Sequence, residues 1–159
     1  MTPDPTYADL MRLAVAQARK AEVLGDVPVG AVLVDGSGVL LGSGYNERES
    51  AHDPTAHAEV LAIRAAAHAR QSWRLDDCTL VVTLEPCTMC AGAAVLARLR
   101  RIVYGASDPK AGAVGSLWDV VRDRRLNHRP EVVSGVLANA CEQLLSDWFE
   151  QRRGAAPLR

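Results

Sequence analysis

One stretch constrains the fold of this chain more than any other, and it runs from Thr83 to Cys90. The β-branched residues around its start predict a buried strand over 78–84, and the small residues after it favour a helix over 89–99. Pro86 suits the first helical position, where the missing N–H of proline wastes no hydrogen bond. The chain must therefore pass directly from strand to helix, with two cysteines one turn apart on the same helical face.

The remaining pattern is that of an α/β protein. Apolar spacing, β-branched runs and glycine-rich turns predict a helix over 7–24, a hairpin of strands over 29–34 and 39–44, a helix over 56–70, strands over 101–105 and 131–134, and a helix over 137–153. After the hairpin, helix and strand alternate, which requires crossover connections and parallel pairing. The long connection 106–130 holds one apolar patch, 117–121, that could form a helical turn or two.

Length and composition fit one domain. At 159 residues the chain can bury one core, so we expect a single domain over 1–159, with a core of about 6–153 and a six-residue tail. The amino terminus has acid and proline where a signal peptide needs a basic region and an apolar run, which predicts no export. No stretch approaches the roughly 18 apolar residues of a membrane span, and four cysteines make no disulfide framework. We therefore expect a cytoplasmic protein.

Charge is distributed unevenly along the chain. Residues 1–97 carry 7 basic and 12 acidic side chains, whereas residues 98–159 carry 11 basic and 7 acidic ones. Sixteen of the 18 basic residues are arginine, whose planar guanidinium suits phosphate and stacked bases. A solvated surface explains the same asymmetry, so charge alone leaves a nucleic-acid partner open.

Cys87 and Cys90 have a third potential partner in His57, at the predicted start of the second helix. A histidine and two thiolates are three zinc ligands, and they leave a fourth position for water, as in catalytic zinc sites. The cysteines alone would also fit a thioredoxin-like redox pair, although such motifs lie in an early βα unit. Half of a closed structural zinc site is a third interpretation, which lacks a fourth ligand. The other candidates are predicted to be core thiols or surface imidazoles: Cys78, Cys141, His52, His68 and His128.

Glu59 supplies a function that the three ligands lack. Displacing an amine needs a group that takes a proton from water and later gives it to the leaving nitrogen. His-x-Glu followed by Pro-Cys-x-x-Cys is the signature of zinc deaminases, in which the glutamate carries protons and is not a ligand. Residues two apart lie about 200° apart around a helix, so His57 and Glu59 converge only if the helix start points end-on into a cavity. The motif therefore predicts hydrolytic deamination, and it also predicts that the start of the second helix points into the cavity.

The stretches that include and flank these motifs run over nearly the whole chain: 26–33, 44–46, 53–59, 83–90, 104–113, 115–117, 127–129 and 144–149. Together they resemble the bacterial tRNA-specific adenosine deaminases, which convert a wobble adenosine of tRNA to inosine. The zinc motifs are shared by the whole deaminase superfamily, so the flanking stretches carry the resemblance to the tRNA branch. The resemblance implies a three-layer α/β/α fold with a mixed five-stranded sheet, cytidine deaminase-like. It also implies a homodimer in which the partner subunit helps to build the RNA-binding cleft.

Several residue roles follow from the resemblance. It implies that His57, Cys87 and Cys90 hold one Zn²⁺ per subunit and that Glu59 is the proton shuttle. Two substrate contacts are implied as well, namely Asn46 with the bound base and Asp108 with the flanking nucleotide of a tRNA anticodon stem-loop. The basic half of the chain would then contact RNA through three segments: the long loop, 127–129 and 152–153. A deaminase of a free base or nucleoside, acting on guanine or cytosine/cytidine, and a non-catalytic zinc-stabilised RNA-binding module remain open alternatives.

Overall fold

The computed structural model describes residues 5–154 of the chain. Nine regular elements follow one another in this part of the chain: α1 (Tyr7–Val23), β1 (Gly30–Val34), β2 (Leu40–Tyr45), α2 (Ala58–Arg70), β3 (Thr79–Leu84), α3 (Thr88–Leu96), β4 (Arg101–Ala106), β5 (Glu131–Val133) and α4 (Ala138–Arg153). All the predicted helices and strands are present, with ends displaced by a few residues. Two segments lie outside the described residues: 1–4 and 155–159. The first is part of the amino terminus for which no export was expected, and the second is most of the predicted tail.

The strands form one mixed sheet in the order β2-β1-β3-β4-β5. β1 is antiparallel to both β2 and β3, whereas β3, β4 and β5 run parallel to one another. The hairpin and the parallel side of the sheet are both confirmed. Because β3 and β4 are parallel, with Thr79 opposite Arg101 and Leu84 opposite Ala106, their carboxyl ends share one edge of the sheet.

Helices cover both faces of the sheet, as the three-layer prediction requires. Alternate strand residues point to opposite faces. On one face, strand residues such as Leu33 and Leu80 pack in a core with the buried alanines of α2 and α3. On the other face, Val32 and Val81 pack with α1 and with Cys141 of α4. The predicted three-layer α/β/α fold with a mixed five-stranded sheet is therefore confirmed.

Pro86 does not occupy the first helical position that its ring would suit, and the third helix begins one residue before the predicted 89. Cys87 is the N-cap of α3, with extended backbone angles (φ −74°, ψ 179°), and the helix starts at Thr88. Pro86 stays outside the helix, where its carbonyl accepts the N–H of Ala113 from the long connection. The same helix ends at Leu96 and not at residue 99, because the chain turns through Arg98 in the left-handed region (φ 61°).

The long connection between β4 and β5 is ordered by its own hydrogen bonds. The Gly112 carbonyl accepts the N–H groups of Leu117 and Trp118, and a short 3₁₀ turn follows at Val120–Arg122. The apolar patch predicted as one or two helical turns is thus part of a single turn. Val114 and Val121 are buried in the core that α3 also joins.

Two glycines of β2 bring α2 unusually close to the sheet. A Cβ atom on Gly44 would lie 2.6 Å from the Ala58 carbonyl oxygen, and one on Gly42 would lie 2.4 Å from that of Ala62. Only residues without a side chain permit this approach. The start of α2, with its histidine and glutamate, is fixed against the sheet by this contact.

Candidate active site

Two helix starts meet beside the carboxyl end of β3. His57 is the N-cap of α2 with extended backbone angles (φ −78°, ψ 148°), as Cys87 is of α3. Neither side chain makes the usual capping hydrogen bond to its own helix. Both are therefore available to the space between the two helices, which is the end-on arrangement that the sequence demanded.

The three predicted ligands lie together. His57 Nδ1 is 3.6 Å from Cys87 Sγ and 3.5 Å from Cys90 Sγ, and all three ligand atoms lie within 4.8 Å of one another. A tetrahedral ion with the bond lengths usual for zinc holds nitrogen and sulfur about 3.6 Å apart. The donor set and its spacing therefore fit zinc, with one coordination position left for water or substrate.

The two thiols are electrostatically unequal. A hydrogen bond from Cys90 lowers the pKa of Cys87 to about 4, although burial opposes this shift. The same bond and burial raise the pKa of Cys90. The His57 imidazole, whose own pKa is raised by its hydrogen bond to Cys87, also favours the Cys87 thiolate. Binding of a divalent cation to this cluster would release the remaining protons.

Glu59 lies next to the cluster and is almost completely buried, with 4% of its surface exposed. Burial raises its pKa to about 7, against the smaller opposing effect of its own backbone N–H. A carboxyl group with a pKa near neutrality can both accept and donate a proton. Glu59 thus has the position and the electrostatic surroundings of an acid–base group.

A pocket of about 200 Å³ opens onto these residues. Besides His57, Glu59 and Cys87, it is lined by residues at or next to the ends of β1, β2, β3 and β4 and by the first residue of α2: Val27, Val29, Asn46, Arg48, Ala58, Leu84, Glu85, Asp108 and Ala111. The apolar members suit a flat base, and the polar ones can read its edge. Both predicted substrate-binding residues are in this wall.

Asn46 and Asp108 are partly engaged by the protein itself. Asn46 donates from Nδ2 to the Val27 carbonyl (3.2 Å) and accepts at Oδ1 from the Arg48 N–H (3.1 Å). One Asp108 oxygen accepts N–H groups of Lys110 (3.0 Å) and Ala111 (3.2 Å). Each side chain keeps further hydrogen-bonding capacity, so each is oriented by its loop and still able to bind a ligand.

Sequence reasoning missed two charged residues of the pocket. Arg48 lines it with a half-exposed guanidinium, and Glu85 lines it with a carboxylate that is 2% exposed. Arg48 gave no signal, since it stands in a polar loop among other charges. Glu85 could have been noticed, because it directly follows a predicted buried strand and a glutamate buried there needs a partner.

The other cysteines and histidines lie away from the cluster. Cys78 and Cys141 are buried thiols, and His52 and His68 are exposed, as expected. His128 differs, because its Nε2 lies 2.7 Å from the Leu99 carbonyl oxygen and the side chain is half-buried. Leu99 precedes β4, so residues 127–129 lie at the end of the sheet opposite the pocket. Contact of this segment with RNA stays a prediction.

Comparison with known proteins places this site in a family. Residues 5–106 match the family model of the cytidine and deoxycytidylate deaminase zinc-binding region. The chain belongs to this family. Within it, the chain is 53% identical to a tRNA-specific adenosine deaminase of Haemophilus influenzae, over 91% of this chain and 83% of that protein. It is 48% identical to one of Bacillus subtilis, over 96% and 92%.

A solved structure agrees with these sequence relatives. It comes from a study of A-to-I editing by tRNA:A34 deaminases at the wobble position, and it superposes with a TM-score of 0.82 at 43% identity. The alignment covers 86% of this chain and 98% of that one. The zinc chemistry predicted from the motifs is that of the family. Among residues 5–154, no helix has the length and apolar character needed to cross a bilayer.

Proposed function

We propose that this protein is a zinc-dependent hydrolase that deaminates adenosine to inosine at the wobble position of a tRNA anticodon loop. The observation that carries the proposal is the junction of a His-Cys-Cys cluster with a buried glutamate in one pocket. The identity of 53% and 48% to tRNA-specific adenosine deaminases supports the choice of substrate. We propose that the whole chain acts as one domain in the cytoplasm, where this substrate would be met.

His57, Cys87 and Cys90 would hold one zinc ion per subunit. When bound there, zinc lowers the pKa of a water molecule and so supplies a nucleophile near neutral pH. Cys87 already favours the thiolate that such a site requires, and Cys90 loses its proton on metal binding. The family match to a zinc-binding region supports this assignment.

Glu59 would carry the protons of the reaction. It takes one proton from the attacking water, whose oxygen bonds to C6 of the adenine, and delivers it to the amino nitrogen. The bond from C6 to that nitrogen then breaks, and ammonia leaves. The buried position of Glu59 and its pKa of about 7 suit both halves of this transfer at neutral pH.

The polar residues of the pocket wall would orient the nucleotide. Asn46 has a free N–H and a free lone pair for the edge of the base, and its loop position is fixed by Val27 and Arg48. Asp108 would contact the flanking nucleotide. The target base must leave its stack to enter a pocket of this kind, which takes less energy in a loop than in a duplex.

We further propose a homodimer. Leu96, at the end of α3, is 71% exposed, and Trp118, just before the 3₁₀ turn that packs near α3, is 58% exposed. Large apolar side chains exposed in this way are typical of protein interfaces. Analytical ultracentrifugation should find two chains per particle, and Trp118→Glu should shift the distribution towards one chain. A monomeric wild-type protein would contradict this part of the proposal.

The decisive experiment offers the purified protein an anticodon stem-loop with adenosine at the wobble position, beside free adenosine, cytidine and guanine. Mass spectrometry should show a gain of about 1 Da in the stem-loop alone, since an amino group is exchanged for oxygen. Conversion only of free bases or nucleosides would instead identify a small-molecule deaminase.

A variant pair separates the enzyme from a binding module. Glu59→Gln should retain zinc and stem-loop binding while losing about 10²-fold or more in rate, because the proton carrier is removed. Glu142→Gln is the matched control, since Glu142 is an exposed residue of α4 away from the pocket lining, and it should behave as the wild type. Unchanged deamination by Glu59→Gln would refute the role of Glu59.

A further inference from the structure

Glu85 is a buried carboxylate without a cation. It is 2% exposed, and among residues 5–154 no arginine, lysine or histidine forms an ion pair with it. A buried charge in such surroundings is costly unless hydrogen bonds compensate for lost water. The hydrogen-bond donors around Glu85 therefore show what its burial does for the fold.

Three hydrogen bonds to this carboxylate come from one loop. Oε2 accepts the N–H groups of Val114 (3.4 Å) and Ser116 (3.2 Å), and Oε1 accepts the Ser116 hydroxyl. The next residue, Pro86, accepts the N–H of Ala113 at 2.8 Å. Two successive residues at the end of β3 thus hold the loop that follows β4, immediately before Cys87.

Gly112 shows how closely the loop is fitted to the carboxylate. A Cβ atom at this position would lie 1.9 Å from Glu85 Oε2 and 2.5 Å from the Asp108 carbonyl oxygen. The Gly112 N–H also donates to that carbonyl at 2.8 Å. The loop can therefore close over the carboxylate only with glycine at position 112.

The loop carries part of the pocket wall. Asp108 and Ala111 line the pocket beside Glu85, and the Asp108 side chain folds the loop start by accepting two of its N–H groups. We infer that Glu85 is a positioning residue, which holds residues 107–116 against the metal-ligand junction so that Asp108 meets the substrate in a fixed orientation. This inference rests on the proposed function, because it assigns the loop a role towards the RNA nucleotide.

The main test compares three variants: Glu85→Ala, Glu85→Gln and the exposed control Glu142→Ala. In Glu85→Ala the loop N–H groups lose a charged acceptor, so hydrogen exchange at Val114 and Ser116 should accelerate about tenfold or more. The KM for the stem-loop should rise by a similar factor, while kcat changes less than about threefold and zinc content stays at one per chain. Asp108 would contact the flanking nucleotide and not the reacting atoms, so a loosened wall weakens substrate binding more than it slows the chemical step.

Glu85→Gln provides the rescue. Its amide oxygen can face the two N–H donors, and its amide N–H₂ can donate to the Ser116 oxygen, because the hydroxyl can rotate. Exchange and KM should therefore return close to wild-type values. A purely structural role for the charge would not produce this separation of KM from kcat, nor its rescue by a neutral isostere.

A second pair keeps the inference testable if Glu85→Ala is poorly folded. Gly112→Ala alone should raise KM, since the new methyl group displaces the loop from the carboxylate. In the Glu85→Ala background the same methyl group no longer clashes with the carboxylate. The double variant should therefore raise KM by less than the product of the two single-variant factors. Full multiplication would show that the carboxylate and the loop act independently and would overturn the inference.

The outcomes separate the two proposals. A wild-type protein that leaves the stem-loop unchanged defeats the proposed function, while the exchange measurements still report whether Glu85 holds the loop. An active wild type with unchanged exchange and KM in Glu85→Ala defeats the positioning role alone. Loss of zinc from Glu85→Ala without faster loop exchange would also defeat it, because Glu85 would then act on the metal ligands.

Discussion

The close packing of α2 on β2 leads to a sharp prediction for Gly44→Ala. The added methyl carbon would lie 2.6 Å from the Ala58 carbonyl oxygen, 2.8 Å from Leu61 Cβ and 3.0 Å from the Ala62 nitrogen. Ordinary contact begins at 3.4 Å, and two of these three atoms belong to the helix backbone, which cannot rotate away. The helix must therefore move outwards by about 0.8 Å at its first turn, where His57 and Glu59 lie.

The size of the effect follows from this displacement. Overpacking of a core typically destabilises a protein by about 1–3 kcal/mol. A misplacement of about 1 Å in a catalytic group can lower the rate about 10²-fold. We therefore expect Gly44→Ala to lose roughly 2 kcal/mol of unfolding free energy and between about ten- and a hundredfold in kcat/KM on the stem-loop.

Gly92→Ala is the matched control, because it makes the same chemical change in α3, where no atom of the same subunit outside the neighbouring helix backbone lies within 4 Å of the new methyl group. Alanine favours a helix interior over glycine by about 1 kcal/mol, so this variant should be as active as the wild type and slightly more stable. Urea denaturation and initial rates measure both quantities. Equal behaviour of the two variants would refute the claim that the β2–α2 contact positions the site.

Three further predictions concern the surroundings of the pocket. The Asp26 carboxylate is fully buried; burial opposes its charge, but hydrogen bonds from the N–H groups of Glu49 (2.7 Å) and Ser50 (3.1 Å) lower its pKa overall. Asp26→Asn should lose about 2 kcal/mol of unfolding free energy at pH 7. The deficit, measured by urea denaturation, should shrink below about pH 4, because the wild-type carboxylate is then protonated as well. A deficit that does not change with pH would exclude a charge effect. Removal of zinc by a chelator should expose one fast-reacting thiol per folded chain, because the half-buried Cys87 has a pKa of about 4 and the other thiols are buried. If a thiol reagent detects no fast-reacting thiol either before or after chelation, the ligand assignment is contradicted. Raising salt from about 50 to 200 mM should weaken stem-loop binding at least tenfold, and an affinity that stays flat would rule out phosphate contacts as its main source.

Much of the fold was predictable because its elements carry local signals. The hairpin is marked by a polar glycine turn between two apolar runs, and the alternation of helix and strand after it requires the parallel pairing of β3 with β4. Element ends were less certain, since they depend on contacts between distant residues. Pro86 lies outside α3 because its carbonyl binds Ala113, which no local pattern indicates.

The candidate site divides in the same way. The motifs contain His57, Glu59, Cys87 and Cys90 at recognisable spacing, so their chemistry could be predicted before their positions were known. Their meeting depends on two helix starts facing one another, which the sequence could state only as a condition. The partners of Glu85 lie about 30 residues further along the chain, so its hold on the loop was invisible until the fold was known.

The positions of His57 and Cys87 as N-caps have a consequence for anyone who wishes to make this protein more heat-resistant. A serine, threonine or aspartate at such a position usually stabilises a helix by about 1 kcal/mol, and both helices here forgo that bond. Replacing weak caps is a routine route to thermostable variants. This substitution cannot be used at positions 57 and 87, because the residue that would stabilise the helix would remove a proposed metal ligand from the cluster. Stabilising substitutions must therefore be sought elsewhere, for example at the open Gly92.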